Sequence, residues 1–395
     1  MGSEALEIIY FGNDWFAENK TSSHHIAEQL AKHHRVLYVE CPGLRAPKSN
    51  VRDLKKLFRK LRQGFTKPTF ITPNLAVCTL LQIPLHRFAL VRWLNRKITY
   101  ALIKHKFKSF KISQPILWFV IPHLPHLAQN LKHRLSVYYC IDDYSAMPGV
   151  NPVEVKKMDE QMTKTANLVF AASEEIFKTK KQINHNTYLS EHGVDFDHFS
   201  RVYRGDVDLA LEMKSLPSPV IGFFGLIEEW IDLSLIEHIA KQKPGWQIVL
   251  IGRCAVNNPS CFSYKNIHYL GCKAFADLPS YASAFDVAIL PYKLTRQVMH
   301  CNPIKLREYL ATGKPVVSVR FPEAERYKDV VLIADNQQEF INQLERALTQ
   351  DTNQARQKRI NSVKSQTWEA RVTNVLIIVN EYLNPNTSKD AHNGS

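Results

Sequence analysis

Apolar residues come in short runs separated by stretches of helical period. The run Glu7 to Phe11 is followed by a loop, Gly12 to Ser22, then a helix through His25, Ile26 and Leu30, then a second run at Val36 to Val39. That order predicts strand, loop, helix, strand. Further strands are predicted at Leu75 to Thr79, Ile116 to Ile121, Ser136 to Cys140 and Leu168 to Ala171, with helical stretches between them. Strands that alternate with helices in this way predict a parallel sheet.

A second alternating series begins after Pro217 and Pro219. It predicts strands at Val220 to Phe224, Gln247 to Ile251, Ile267 to Tyr269, Val287 to Leu290, Pro315 to Val319 and Val331 to Ala334. Helices are predicted at Leu233 to Gln242, Leu278 to Ala284, Pro303 to Ala311 and Glu339 to Leu348, with a last amphipathic helix around Trp368 to Tyr382. Two independent series imply two doubly wound domains: 1–200, a linker 201–219 rich in mixed charge, and 220–383. The tail 384–395 has the composition of a disordered segment.

A length of 395 residues suits two cores, and two domains invite a cleft between them. No apolar run approaches the roughly 18 residues that span a bilayer, and the first residues lack a secretion signal, so a cytoplasmic location is expected. Seven cysteines without a C-x-x-C pair suggest reduced, mostly buried thiols and no zinc site. The net charge of +14 is uneven: Val51 to Lys111 holds fifteen Lys or Arg against one acid, Asp53. Such a block suits an anionic partner. Within it, Val51, Leu54, Leu57, Phe58, Leu61 and Phe65 share one helical stripe, and seven cations up to Lys67 occupy the rest. This is the pattern of an interfacial helix on an anionic membrane surface, or else of a solvated helix packed on its own core. No nucleic-acid motif accompanies it, so no nucleic-acid partner is expected.

The stretch Asn302-Pro-Ile-Lys-Leu-Arg-Glu-Tyr-Leu-Ala-Thr-Gly313 carries the most chemistry. Asn302 is expected to cap a helix whose first turn accepts Pro303, and Gly313 to end it. Lys305 and Glu308 lie three residues apart, about 4.5 Å along the axis. Free amides with one lysine can receive a pyrophosphate, and the glutamate a ribose; a plain surface helix with an ion pair is the alternative.

This stretch resembles the nucleotide-binding helix of GT-B glycosyltransferases of the family 4 type. Val220-Ile-Gly-Phe-Phe-Gly225 resembles the first strand and glycine loop of their C-terminal domain. His192-Gly-Val-Asp195, followed by Phe199, resembles their Asn-Gly-Val-Asp segment, with histidine in place of asparagine. Trp15, His24-His25 and Val36-Leu-Tyr-Val39 resemble the opening of bacterial exopolysaccharide and teichuronic-acid type transferases. The resemblance implies an α/β fold of GT-B type: two Rossmann-like domains facing across a cleft, with a C-terminal helix able to cross back. It also implies that Glu308 matches the second of two family glutamates, the ribose binder. The first falls at His300, which leaves the donor sugar and the retaining or inverting outcome open. Cations that commonly follow the glycine loop are replaced by Glu228, Glu229 and Trp230, so Lys305 and Arg253 are left to supply positive charge.

In the front half, Asp142 and Asp143 follow a predicted strand, where open sheets present ligands, and either can serve as general base or as a turn cap. His123, after Ile116 to Ile121, is a second candidate. Gly12 and Asn13 sit at the first strand-to-helix turn, where amides could meet phosphate or acceptor. His24 and His25 cannot share a helix face, so no metal is expected there. The reading is a glycosyltransferase with a UDP- or GDP-sugar donor, a saccharide or lipid-linked acceptor in envelope polysaccharide synthesis, and no cofactor. A 2-epimerase of the same fold and a non-catalytic membrane- or RNA-binding relative are the alternatives.

Overall fold

The computed structural model describes residues 5–17, 20–41, 44, 68–80, 89–110, 112–257 and 259–385. The basic stripe at 51–67 and the tail from 386 lie outside these described residues. The chain forms two compact units, Met1–Glu191 with Val372–Ser395, and His192–Arg371.

The first unit is built on β1 (Glu7–Gly12), β2 (Arg35–Glu40), β3 (Thr69–Thr72), β4 (Leu75–Thr79), β5 (Ile116–Phe119), β6 (Leu135–Cys140), β7 (Leu168–Ala171) and β8 (Thr187–Leu189). They lie in the order β3-β4-β2-β1-β5-β6-β7-β8. Every pairing is parallel except β3 with β4. Helices on both faces leave the inner strands almost wholly buried, which is why they read as continuous apolar runs. One face carries an aromatic row across six strands: Tyr38, Tyr10, Trp118, Tyr139, Phe170 and Tyr188, with successive ring centroids 5.1, 6.1, 6.2, 5.9 and 5.8 Å apart. Such neighbours fix register, because a one-residue slip would turn each ring to the opposite face. Among the helices are α1 (Ser22–Ala31) and the 21-residue α2 (Ala89–Ser109).

The second unit opens with α3 (Phe196–Arg204) and holds β9 (Val220–Phe224), β10 (Gln247–Ile251), β11 (Ile267–Tyr269), β12 (Val287–Leu290), β13 (Val316–Val319) and β14 (Leu332–Ala334). The order β11-β10-β9-β12-β13-β14 is parallel throughout. The chain winds from β9 to β10 and β11 on one side, then returns to the other with β12. The topological switch point therefore lies between β9 and β12, as it lies between β1 and β5 in the first unit.

The stretch 201–219, expected as a linker, is part of the second unit. Phe199 is buried and stacks on Phe224 at 5.7 Å, α3 runs on to Arg204, and a 3-10 turn at Leu211–Met213 buries Met213. The division falls instead between Glu191 and His192. At the far end, α5 (Trp368–Leu383) begins in the second unit and continues as chain of the first; α4 (Ile304–Thr312) is described below. No disulfide joins the described cysteines, and Cys41, Cys78, Cys140 and Cys261 are buried. No helix among the described residues is long and apolar enough to cross a membrane.

Candidate functional site

In the second unit, three loops meet at the carboxyl edge of β10, β9 and β12. The loop after β9 is held on both sides. The N–H of Ile227 donates to the carbonyl of Arg253 (2.9 Å) and that of Ala255 to Ile227 (2.8 Å), while the N–H of Lys293 donates to Trp230 (2.8 Å). Ile227 and Ile231 anchor this loop in the core. Gly252, at φ 131°, packs against Gly225: a Cβ on residue 252 would lie 1.9 Å from the Gly225 carbonyl oxygen. A Cβ on residue 225 would in turn lie 3.7 Å from Cε of Lys305. The two glycines thus bring bare backbone and the Lys305 side chain to one place. Arg253 follows directly and is half-buried, with no hydrogen bond from its guanidinium among the described residues.

The helix α4 is nearly all buried, from Leu306 to Thr312, so it is not a surface helix. Its N-cap is Pro303, without a side-chain cap, and it ends at Gly313. Asn302 was expected to be the cap. Its Oδ1 instead accepts from Nη1 of the fully buried Arg307 (2.8 Å) and from the N–H of His192 (3.2 Å). Arg307 also donates to Glu323 (2.8 Å) and Gln366 (2.9 Å), so its charge is met by three acceptors. Burial pushes the Glu323 carboxyl up, and the Arg307 charge opposes that shift. Two segments that stand out in the sequence, His192 to Asp195 and Asn302 to Glu308, are joined by this buried knot. Asp195 in turn caps α3 by accepting from the N–H of His198.

The N-cap Pro303 supplies no side-chain cap to α4, and such a helix start presents free amides and the positive end of its dipole. Lys305 Nζ pairs with Glu308 Oε2 at 2.8 Å and lies 4.9 Å from the ring centre of Phe224. The Glu308 side chain is 4% exposed, that of Lys305 26%. A lysine over an aromatic ring, with a buried carboxylate beside it, is suited to an anion approaching from the loops. Tyr309 holds this geometry: its Oη accepts from the N–H of Phe224 (2.8 Å) and donates to the Phe224 carbonyl (3.1 Å). It stitches α4 to the end of β9.

Residues 218–350 match the family model of glycosyl transferases group 1. The Bacillus subtilis protein TuaH, named for glycosyl transfer in teichuronic acid biosynthesis, is 24% identical over 397 residues, covering 92% of this chain and 94% of its own. Sucrose-phosphate synthase from Thermosynechococcus elongatus superposes with a TM-score of 0.70 at 13% identity, over 96% of this chain and 100% of that one. The Anabaena HepE protein, solved in complex with UDP and glucose, gives 0.63 at 14%, over 94% and 99%. This chain is a glycosyltransferase of the GT-B fold.

In the first unit of the glycosyltransferase, Gly12 ends β1, His123 follows β5, and Asp142 and Asp143 follow β6; the three strands are neighbours. Gly12 leaves room for Tyr38, whose Oη would lie 2.2 Å from a Cβ there; that hydroxyl donates to the Asn13 carbonyl (2.9 Å). Gly12 thus lies in a different unit from the other residues read as donor-binding. Asp143 caps the 3-10 turn Tyr144–Ala146, its Oδ1 accepting from Ser145 Oγ (2.7 Å) and N–H (3.2 Å). Asp142 Oδ1 accepts from the N–H of Asp143 (2.9 Å). Tyr144 Oη donates to the Val120 carbonyl, which ties this turn to the loop bearing His123. Both ring nitrogens of His123 are shielded from solvent.

Behind the turn, Asp159 accepts from Tyr138 Oη (2.6 Å) and pairs with the buried Lys180. Burial beside this pair pushes the Cys140 thiol up to about 12, so it stays protonated. His24 is structural: its Nδ1 contacts Thr21 Oγ1 at 2.8 Å and its Nε2 the Trp15 carbonyl at 3.1 Å, which folds the loop after β1. Burial lowers its pKa, keeping the ring neutral.

Proposed function

We propose that this glycosyltransferase moves a hexose-type sugar from a UDP- or GDP-sugar to a saccharide or lipid-linked acceptor in envelope polysaccharide synthesis. The observation that carries this reading is the uncapped N-terminus of α4, with Lys305 and Glu308 set against the Gly225 and Gly252 backbone at a switch point. The name of TuaH and the UDP and glucose bound to HepE support the acceptor class and the donor class respectively.

In this mechanism the α4 amides and Lys305 receive the diphosphate, and their charge stabilises it as it leaves the sugar. Arg253 adds a second cation to the loops. Glu308 accepts from the ribose hydroxyls once Lys305 turns to phosphate. Asn302 and Pro303 set the helix start through the Arg307 knot. Asp142, Asp143 or His123 takes the proton of the acceptor hydroxyl. Residues 51–67 hold the enzyme to an anionic membrane surface, on the cytoplasmic side, where a lipid-linked acceptor is found.

Calorimetry with UDP, GDP and their sugars tests the donor site. Because Glu308 is buried against Lys305, Glu308→Gln is the informative variant, with Glu308→Ala beside it. Loss of charge-assisted bonds to ribose is expected to weaken binding by about 1–3 kcal/mol, with an unchanged circular dichroism spectrum. Unchanged affinity for every nucleotide in both variants would remove Glu308 from the site.

A further inference from the structure

The helix α2 turns its polarity inside out. Asn95, Thr99 and Ile103, spaced four apart, face inward at 4%, 0% and 1% exposure. On the opposite side Leu90, Trp93 and Leu94 are 74%, 56% and 37% exposed. Residues 90, 93, 94, 97, 101 and 104 follow the spacing of one helical stripe. A helix facing only water gains nothing from presenting two leucines and a tryptophan while it buries an asparagine and a threonine. Of the remaining positions of the stripe, Lys97 and Lys104 are cationic and Ala101 is small. Lys97 Nζ lies 5.9 Å from the Trp93 ring centre, and Lys104 follows two turns later. The sequence of α2 contains six Lys or Arg and no Asp or Glu.

We infer that the outward face of α2 is a membrane-contact surface, with Leu90, Trp93 and Leu94 entering the headgroup boundary of an anionic bilayer and Lys97 and Lys104 meeting its phosphates. Tryptophan beside leucine, flanked by lysine, is the composition that partitions to this boundary. Charge selects among the occupants. Two copies meeting through this helix would bring like charges together. A nucleic acid would be met by stacking rings, whereas two of the three apolar side chains here are aliphatic. The inference stands apart from the sugar-transfer reading and from residues 51–67, since it uses only described residues of α2.

The test is sedimentation of the full chain with phosphatidylcholine vesicles, with and without phosphatidylglycerol, comparing wild type with a Leu90→Ser, Trp93→Ser, Leu94→Ser variant. Wild type should bind the anionic vesicles and the triple variant about tenfold more weakly. Lys97→Glu with Lys104→Glu should weaken binding and its response to salt. Tryptophan emission should shift to the blue on vesicles, and Trp93→Phe should remove most of that shift while leaving the fold intact. UDP titration of the same variants should be unchanged, which separates failure here from failure of the donor site. Full binding by the triple variant, an undiminished shift in Trp93→Phe, or no binding by wild type would each overturn the assignment. So would a dimer that the triple variant dissolves, or an RNA oligonucleotide that displaces the protein from vesicles of either kind.

Discussion

Asp142 and Asp143 are neighbours with different engagements, and the difference makes separate predictions. The Asp143 carboxylate is occupied by Ser145 through both its hydroxyl and its N–H. Asp143→Ala should therefore cost about 1 kcal/mol of stability, as loss of a cap does. Asp142 Oδ1 accepts from the N–H of Asp143, a bond that an asparagine oxygen can keep, so Asp142→Asn should leave stability nearly unchanged and lower turnover far more than donor affinity, as expected of a group acting in the transition state. Steady-state kinetics beside thermal melts read both effects; normal turnover in both Asp142→Asn and Asp143→Asn would move the base to His123.

His126 gives a pH prediction. Burial first, and then the Arg96 charge, lower its pKa from 6.5 to about 4. The unfolded chain takes up the proton near 6.5 and the folded chain only near 4, so stability is intact above 6.5 and is lost as pH falls toward 4. His126→Gln should flatten the fall of the urea midpoint across that window. A slope equal to wild type would show that other groups govern acid unfolding.

At the scale of elements, the Gly225 and Gly252 contact is the least tolerant part of the donor site. Gly252→Ala places a methyl in the Gly225 carbonyl and in a backbone region that side chains avoid. It should cost at least about 2 kcal/mol and weaken nucleotide binding as well, because the displaced loop is the one that faces Lys305. Urea melts with nucleotide titration test this, and a stable variant with full affinity would show that the loops are not rigid.

The strands of both sheets were legible because runs buried on two faces are continuous in sequence, as in Ile248 to Ile251. β3 and β8 were not: Thr69 to Thr72 is exposed throughout and pairs only at an edge, and Thr187 to Leu189 is a three-residue strand at the opposite edge. The helix Asn353–Val363 also escaped the pattern, for it buries only Arg359, Ile360 and Val363. The Lys305 and Glu308 spacing could be read directly. The role of Asn302 could not: its partners are Arg307, five residues on, and His192, in a remote segment, and no local rule joins them. Arg307 and Tyr309 pin the helix in place through bonds to residues outside it. A charged residue beside a matched motif was the available signal for Arg307.

For the whole molecule, connectivity sets the expected response to ligand. The chain leaves the first unit at Glu191, completes the second, and returns at Val372. Each unit has its own sheet, and the proposed diphosphate contacts all fall within His192–Arg371. Unfolding need not be a single transition, so one midpoint would mix two stabilities. A nucleoside diphosphate that binds only the folded second unit stabilises it by about 2.7 kcal/mol at 100 times its dissociation constant. With UDP or GDP added, hydrogen exchange should therefore slow most in the loops after β9, β10 and β12 and in the first turn of α4. The turn at Tyr144–Ala146 and the β1 to β8 sheet should change less. The calorimetric transition that moves should be the one whose peptides come from 192–371. Protection centred on the first unit, with α4 unchanged, would mean that the nucleotide binds elsewhere and that the ion pair of Lys305 and Glu308 serves only to hold the helix.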